Sequence, residues 1–382
     1  MEKKIFVVLI AGILFAVFGF SILHKGNSKE LSGVYTKYDK PEFSLEGYQS
    51  GEYQTQMDNY YSANYSAHNL AVRIYNQVRY TAFGISDSVV VGRDGYLYEK
   101  SYIRETMGVD GAILLSDEEL KSLAGQILAI QELAEEQGKG FLFVITPSKA
   151  DYEQRNIPKN YMYMDASYSQ VDRNYIRLKA AFDELGVHYI DSNEFLSEEG
   201  LGAPVFYETG IHWTRVAAID TMNEMTGWLN EQYGYRIPQV KVEDIIASET
   251  TEDDQDQDLY RLLNVYYAKK DALYYTPVES IETQDESDKP AIFVQGGSFT
   301  NKLMQIAADN QMFSEAMQEF YAEWLQDYNR GTGVGTGDLS CPELGDAINQ
   351  ADIIILETNV ENVTGLMPEM YDSIYQHLSE HK

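Results

Sequence analysis

Apolar residues fall along this chain in two rhythms, short continuous runs and longer helical repeats. Phe141-Leu142-Phe143-Val144-Ile145 is apolar at every position, the pattern of a strand buried on both faces. Val187–Asp191, Lys289–Val294 and Asp352–Leu356 read as further strands of the same kind. Between them, Asp117–Glu136 places Leu120, Leu123, Ile127, Leu128, Ile130 and Leu133 at helical spacing. Tyr175–Leu185 and Thr214–Tyr233 continue that rhythm, and Gly138 and Gly186 stand where the first two helices must stop. Alternating strands and helices predict an α/β fold with a mainly parallel sheet. Nearer the start, a helical period covers Met57–Ala82. It is followed by a hairpin, Ser88–Gly92 and Tyr96–Tyr98, around the turn Arg93-Asp94-Gly95.

The first apolar run differs in kind. Ile5 to Leu23 carries no charge over nineteen residues, with lysines on both sides, and that length just spans a bilayer as a helix. No convincing cleavage site follows, so residues 1–25 are expected to be an uncleaved signal anchor with the main domain outside the cell. Residues 26–85 then read as a polar tether and lead-in helix, and 86–382 as the main domain. Two polar stretches interrupt the alternation. Val242 to Asp258, closing on Glu252-Asp253-Asp254-Gln255-Asp256-Gln257-Asp258, reads as a solvated acidic loop. The central glycine and terminal glutamate of an EF-hand are absent from it. Gly331 to Gly337 reads as a flexible turn, since no strand precedes it to build a phosphate cradle.

Charge narrows the partners. Asp and Glu outnumber Lys and Arg 60 to 29, for a net charge of −31, the opposite sign to a nucleic-acid footprint. The one cysteine, Cys341, excludes an intrachain disulfide. Six scattered histidines, with no CxxC or HExxH spacing, give no reason to expect a metal or another cofactor. Thirty tyrosines suit a wet surface that stacks on sugar rings.

Two stretches carry candidate chemistry. Ala291–Val294 runs into Gln295-Gly296-Gly297-Ser298-Phe299-Thr300, a strand that breaks at two glycines and restarts as a helix. That arrangement presents the Ser298 hydroxyl at the C-terminal edge of a sheet, where open α/β folds place ligands. The glycines leave the N–H groups of Gly297 and Ser298 available to an oxyanion. The plain alternative is a serine that only caps the helix. The second stretch, Phe206-Tyr207-Glu208-Thr209-Gly210-Ile211-His212-Trp213-Thr214, puts a histidine in a turn before a helix. Within hydrogen-bond reach of Ser298, His212 would act as its general base.

These stretches, taken with others, resemble the AlgX/AlgJ-type SGNH-hydrolase-like family. Val90–Tyr98 is similar to its "GkDGwLF" hairpin, and Thr146-Pro147-Ser148-Lys149 to its Pro-x-Lys strand end. Thr209–Thr214 is similar to "tDtHWt", Gly296-Gly297-Ser298-Phe299 to "GDSF", and Ile353–Glu357 with Glu361 to the late "vvlE…E" strand. All occur in family order between about Pro41 and Glu361. The resemblance implies an SGNH-like three-layer α/β/α domain with a mainly parallel sheet, which would follow the N-terminal transmembrane helix expected from the 5–23 run. It also implies an extracytoplasmic O-acetyltransferase or esterase acting on a polysaccharide, beside a membrane-bound O-acyltransferase partner. By motif position Ser298 would be the nucleophile and His212 the base. The backbone of Ser298 would contribute to the oxyanion hole, and Lys149, Tyr207 and Trp213 are candidate substrate contacts.

Two positions depart from the pattern: the family's aspartates before the histidine and before the serine are Gly210 and Gly297 here. Three readings stay open. Glu208 or Asp191 replaces the missing acid, the site runs as a Ser–His dyad, or the domain has become a non-catalytic glycan-binding or assembly component. Extended chain would put the Glu208 and His212 Cα atoms about 13 Å apart, so Glu208 reaches the ring only if the segment folds back.

Overall fold

The computed structural model describes residues 4–8, 10–12, 15, 19, 30–33, 38–64, 68–108, 112–162, 173–282, 285, 288–336, 341–365 and 368–380. They form two compact units, one of residues 1–91 with 259–269, the other of 92–258 with 270–382. Much of the apolar 5–23 run lies outside the described residues. Among those described, no helix is long and apolar enough to cross a membrane.

The first unit is helical, with helices over Leu45–Ser50, Glu52–Asn64 and His68–Phe83. Part of the expected tether is therefore helical, because Ser44 accepts a hydrogen bond from the Gly47 amide and starts a turn. Gln77 of the last helix accepts from the amides of both Tyr266 and Tyr267 at 2.8 Å, which holds the 259–269 segment to it.

The second unit is built on seven strands: β1 Gly140–Thr146, β2 Tyr189–Asp191, β3 Ile292–Gly296, β4 Ala316–Phe320, β5 Trp324–Asp327, β6 Thr332–Gly335 and β7 Ile353–Asn359. They lie in the order β6-β5-β4-β3-β7-β1-β2. The five strands from β4 to β2 are parallel, and β5 and β6 extend the sheet as antiparallel neighbours. Successive side chains of a strand point to opposite faces. Phe141, Phe143, Ile145, Phe293, Ile354 and Leu356 thus pack with α1 Asp117–Glu136, α2 Asn174–Leu185, α5 Pro342–Gln350 and α6 Pro368–Glu380. Leu142, Val144, Ile292, Val294, Ile353 and Ile355 pack the other way, with α3 Arg215–Tyr233 and α4 Thr300–Asp309. The result is the three-layer α/β/α domain with a mainly parallel, mixed sheet.

Two stretches differ from expectation. The start of the 242–258 stretch read as loop belongs to a strand, Val240–Ser248, paired antiparallel with Tyr274–Ile281. Most of it is exposed, so no apolar run marks it. Thr332–Gly335, read as a turn, is the edge strand β6. All four of its residues are exposed and two are glycine, a composition that pattern reading assigns to loops.

Buried carboxyls leave a mark on stability. Glu319 of β4 is 1% exposed, beside Gln295 of β3, whose amide donates to it at 2.9 Å. Burial pushes this carboxyl up to about 7 from an ordinary value of 4.5. Glu357 of β7 is pushed up to about 7 in the same way. Between those limits the folded protein holds protons that the unfolded chain has released, so stability must fall as pH rises through that window. The melting temperature should therefore be higher near pH ~5 than near pH ~8. Glu319→Gln should raise it at the upper pH and flatten the decline, as differential scanning calorimetry across that range would read. A slope unchanged in the variant would contradict this.

Candidate active site

Strand β3 delivers the serine. Its last residue, Gly296, lies in register with Phe320 of β4, and the chain turns at Gly297 before α4 begins. The amides of Thr300 and Asn301 find the carbonyls of Gly297 and Ser298, at 3.2 and 3.3 Å. The helix has Phe299 at its N-cap position and no side-chain cap, so the hydroxyl of Ser298 is not spent on capping. It faces His212 instead.

The histidine is held by its neighbours. Phe206 and Trp213 form an isolated antiparallel bridge, and the Thr214 amide donates to the Val205 carbonyl at 2.8 Å, closing the 206–213 segment into a tight loop. Thr214 then caps α3 by accepting from the Ala217 amide. Trp213 is fully buried, and its Nε1–H donates to the carbonyl of Phe299 at 3.2 Å. Asp271 receives the amides of Glu208, at 2.5 Å, and Thr209, at 3.1 Å. From within, Lys149 Nζ donates to the carbonyls of Glu208 and Gly210, each at 2.7 Å.

His212 Nε2 lies 2.7 Å from Ser298 Oγ, and its Nδ1 lies 2.6 Å from Asp258 Oδ2. The other oxygen of Asp258 accepts the amide of Ile211 at 2.8 Å, so this carboxylate fixes both the ring and the backbone before it. An ionised carboxylate only accepts hydrogen bonds. Nδ1 must therefore carry the proton, which leaves the Nε2 lone pair for the serine hydroxyl. That is the tautomer a general base needs. The ring packs against Phe299, with centroids 5.0 Å apart.

Asp258 was not among the acids expected from the sequence, and it corrects both candidates. Asp191, at the end of β2, accepts from Tyr175 and from Lys179 at 2.6 Å and caps the next short helix through the Asn193 amide at 3.1 Å. Its carboxylate is committed there. Glu208 contributes its backbone, which bonds Leu97, Lys149 and Asp271, while the histidine nitrogen belongs to Asp258. The segment read as a solvated loop is in fact the source of the acid. Nothing local in the sequence links the two residues, which stand 46 positions apart.

Space explains the missing aspartates. A Cβ on Gly210 would meet the carbonyl oxygens of Asp256 at 2.7 Å and Gln255 at 3.0 Å. The backbone that brings Asp258 to the ring thus occupies the volume a side chain at 210 would need. At Gly297 a Cβ would come within 3.0 Å of the Tyr321 ring. Tyr321 has φ 51°, and its hydroxyl accepts from the Ser298 amide at 3.3 Å. The Gly297 amide donates to the buried carboxyl of Glu357 at 2.8 Å, so it does not face an oxyanion as expected. Glu357 also accepts from Thr146 at 2.5 Å, and so holds the turn before the serine from beneath. A pocket of about 20 Å³ opens beside Ser298, lined by Tyr102, Tyr321, Glu357 and Asn362 among others.

The expected substrate contacts are internal. Lys149 is 1% exposed, beside the rings of Tyr96 and Tyr98, and burial pushes its ammonium down to about 7. Tyr207 is buried, with its hydroxyl bonded to the Tyr275 backbone, and Trp213 is buried against Phe299. All three build the loop that carries His212.

A serine turn at the end of a central parallel strand, with its histidine and acid supplied by loops, places the domain in the SGNH hydrolase-like class of α/β proteins. The chain belongs to the family of the SGNH hydrolase-like domain of the acetyltransferase AlgX, whose family model matches residues 89–324. Among solved structures, it is similar to the O-acetyltransferase domain of Pseudomonas putida AlgJ, at 15% identity and TM-score 0.46, over 76% of this chain and 99% of that one. Bacillus cereus PatB1, solved with a sulfonyl adduct, is similar at 13% identity and TM-score 0.47, over 74% and 96%. Pseudomonas aeruginosa AlgX is similar at 15% identity and TM-score 0.45, over 76% of this chain and 66% of that one. A search of curated proteins finds no match.

The packing at residue 210 is open to test. Gly210→Asp should destabilise the domain by about 1–3 kcal/mol, as overpacking does. It should also fail to restore whatever Asp258→Asn loses. A stable Gly210→Asp protein that rescues the Asp258 variant would refute this account of the site.

Proposed function

We propose that this protein is a serine O-acyltransferase or esterase that works on acetyl groups of a polysaccharide through a Ser298 acyl-enzyme. The observation that carries this reading is the continuous hydrogen-bonded chain from Asp258 through His212 to Ser298. Family membership, in a group whose model is described by an acetyltransferase, supports the acyl group chosen.

In this mechanism Ser298 Oγ attacks the acyl carbonyl while His212 Nε2 takes its proton. The carbonyl oxygen becomes an oxyanion, to which the Ser298 amide would donate once the Tyr321 hydroxyl yields it. Collapse expels the donor alcohol, which takes the proton back from Nε2 and leaves the acyl group on the serine. An acceptor hydroxyl then gives its proton to Nε2 and attacks the acyl carbonyl, after which the bond to Ser298 Oγ breaks and Oγ takes the proton back from Nε2. A sugar hydroxyl completes transfer, and water completes hydrolysis. Asp258 keeps the ring in the required tautomer and stabilises the imidazolium formed in each half.

The reading extends to place and partners. The uncharged 5–23 run would anchor the chain with the catalytic domain outside the cell, where a membrane-bound O-acyltransferase would supply acyl groups and an exported or cell-surface glycan would receive them. The intact triad favours catalysis over a purely glycan-binding role.

Incubation with p-nitrophenyl acetate, followed by intact-mass and peptide mass spectrometry, should place an acetyl adduct on Ser298. Ser298→Ala should abolish it. Asp258→Asn should slow acylation by up to about 10⁴-fold, as loss of the acid does in serine proteases. Equal labelling of wild type and Ser298→Ala would remove the enzymatic reading.

A further inference from the structure

Asp258 stands on a short turn that is acidic at most of its positions, and something must hold that turn against the site. Within Glu252–Asp258, five of seven side chains are carboxylates. Two of them are turned inward: Asp256 is 7% exposed, and the Asp253 side chain is about one-third exposed. Paired carboxylates removed from water need a counter-charge, or the turn that carries them will open toward solvent. The counter-charge comes from α4. Lys302, 1% exposed, donates to Asp256 Oδ1 at 2.8 Å and also to Asp253. It lies four residues beyond Ser298, one turn along the helix that the serine loop begins.

Much of the remaining bonding is within the turn itself, apart from a long contact of 3.5 Å from Gln255 Nε2 to the Ser298 carbonyl. Asp253 accepts the Gln255 amide at 2.9 Å, and Thr251 bonds both the Asp253 amide, at 3.0 Å, and Asp256 Oδ2, at 2.8 Å. Those bonds give the turn its shape but do not fix where it sits. Lys302 ties it to the element that carries the nucleophile. The carbonyls of Gln255 and Asp256 are then carried up against Gly210, and Asp258 arrives beneath His212.

We propose that Lys302 is a positioning residue of the active site, one that fixes the Asp258 carboxylate on His212 by clamping the 253–258 turn to the nucleophile's helix. Lys302 touches neither the substrate nor the reacting atoms, and acts through Asp253 and Asp256. The proposal rests on the triad reading, but one arm of its test does not require any activity.

The full chain is the material. A histidine Nδ1–H bonded to a carboxylate gives a low-field proton resonance in NMR spectra without substrate, assignable here by its loss in His212→Gln. Lys302→Met should abolish or broaden that resonance while near-ultraviolet circular dichroism stays native, and Lys302→Arg should keep it. If Lys302→Met strands two carboxylates and unfolds, the pair Lys302→Met/Asp256→Asn replaces it and must show the same loss. A retained resonance in the folded variant overturns the proposal. Where acylation by p-nitrophenyl acetate is measurable, Lys302→Met should reduce it by about 10²-fold, the scale of a 1 Å misplacement. In an Asp258→Asn background the same change should cost less than about twofold, since a lost carboxylate can no longer be misplaced. Equal losses in both backgrounds overturn the proposal. If Ser298 takes no acyl group at all, the functional reading fails and the resonance alone decides the role of Lys302.

Discussion

One small volume beside residue 210 governs the arrangement of this site. Either a side chain at 210 or the backbone of residues 255–256 can fill it, and in this protein the backbone does. The loop's presence there is what carries a carboxylate to the histidine from a distant part of the chain. Close-packed interiors allow no compromise between the two occupants. The glycine before the histidine is therefore the complement of the acid at 258, and each makes sense only with the other in place. The same exchange of side chain for neighbour recurs at Gly297, where the Tyr321 ring lies over the turn.

Around that volume, the sheet supplies position and the loops supply chemistry. Strands β1, β3 and β7 end side by side, and Thr146, Glu357 and the turn after Gly296 interlock through a buried carboxyl. Buried polar groups of this kind are costly unless bonded, and here they are bonded to the backbone that precedes Ser298. Lys149 performs the matching task under the histidine loop, where its ammonium meets two carbonyls rather than an acid. A cation placed so would normally be read as a ligand for substrate. Its burial shows that it secures the loop from within.

Much of this was legible in the sequence. Continuous apolar runs identify strands buried on both faces, and glycine stops and helical periods identify α1 to α3. Ser298 and His212 are found because each sits in a turn with its own local signature. Asp258 has none: an aspartate in an acidic run looks like solvent-facing loop, and its pairing with His212 is a long-range contact. The exposed strands Val240–Ser248 and β6 escaped for a related reason, since periodicity reports burial and they have little. Lys149, Tyr207 and Trp213 looked like surface chemistry because sequence does not reveal which way a side chain faces.

The bond from Trp213 to the carbonyl of Phe299 has a consequence for how the site fluctuates. The residues that directly follow His212 and Ser298 are pinned to one another, so 212–298 and 213–299 behave as two rungs of one short ladder. Sliding one rung strains the other, and the gap across which the serine proton travels is braced by a buried indole. The acid reaches the ladder on a turn from elsewhere in the chain, tied to α4 through the long side chain of Lys302 rather than through backbone. Thermal disorder should therefore enter this triad from its carboxylate end, with the serine and histidine still facing each other after the aspartate has begun to wander.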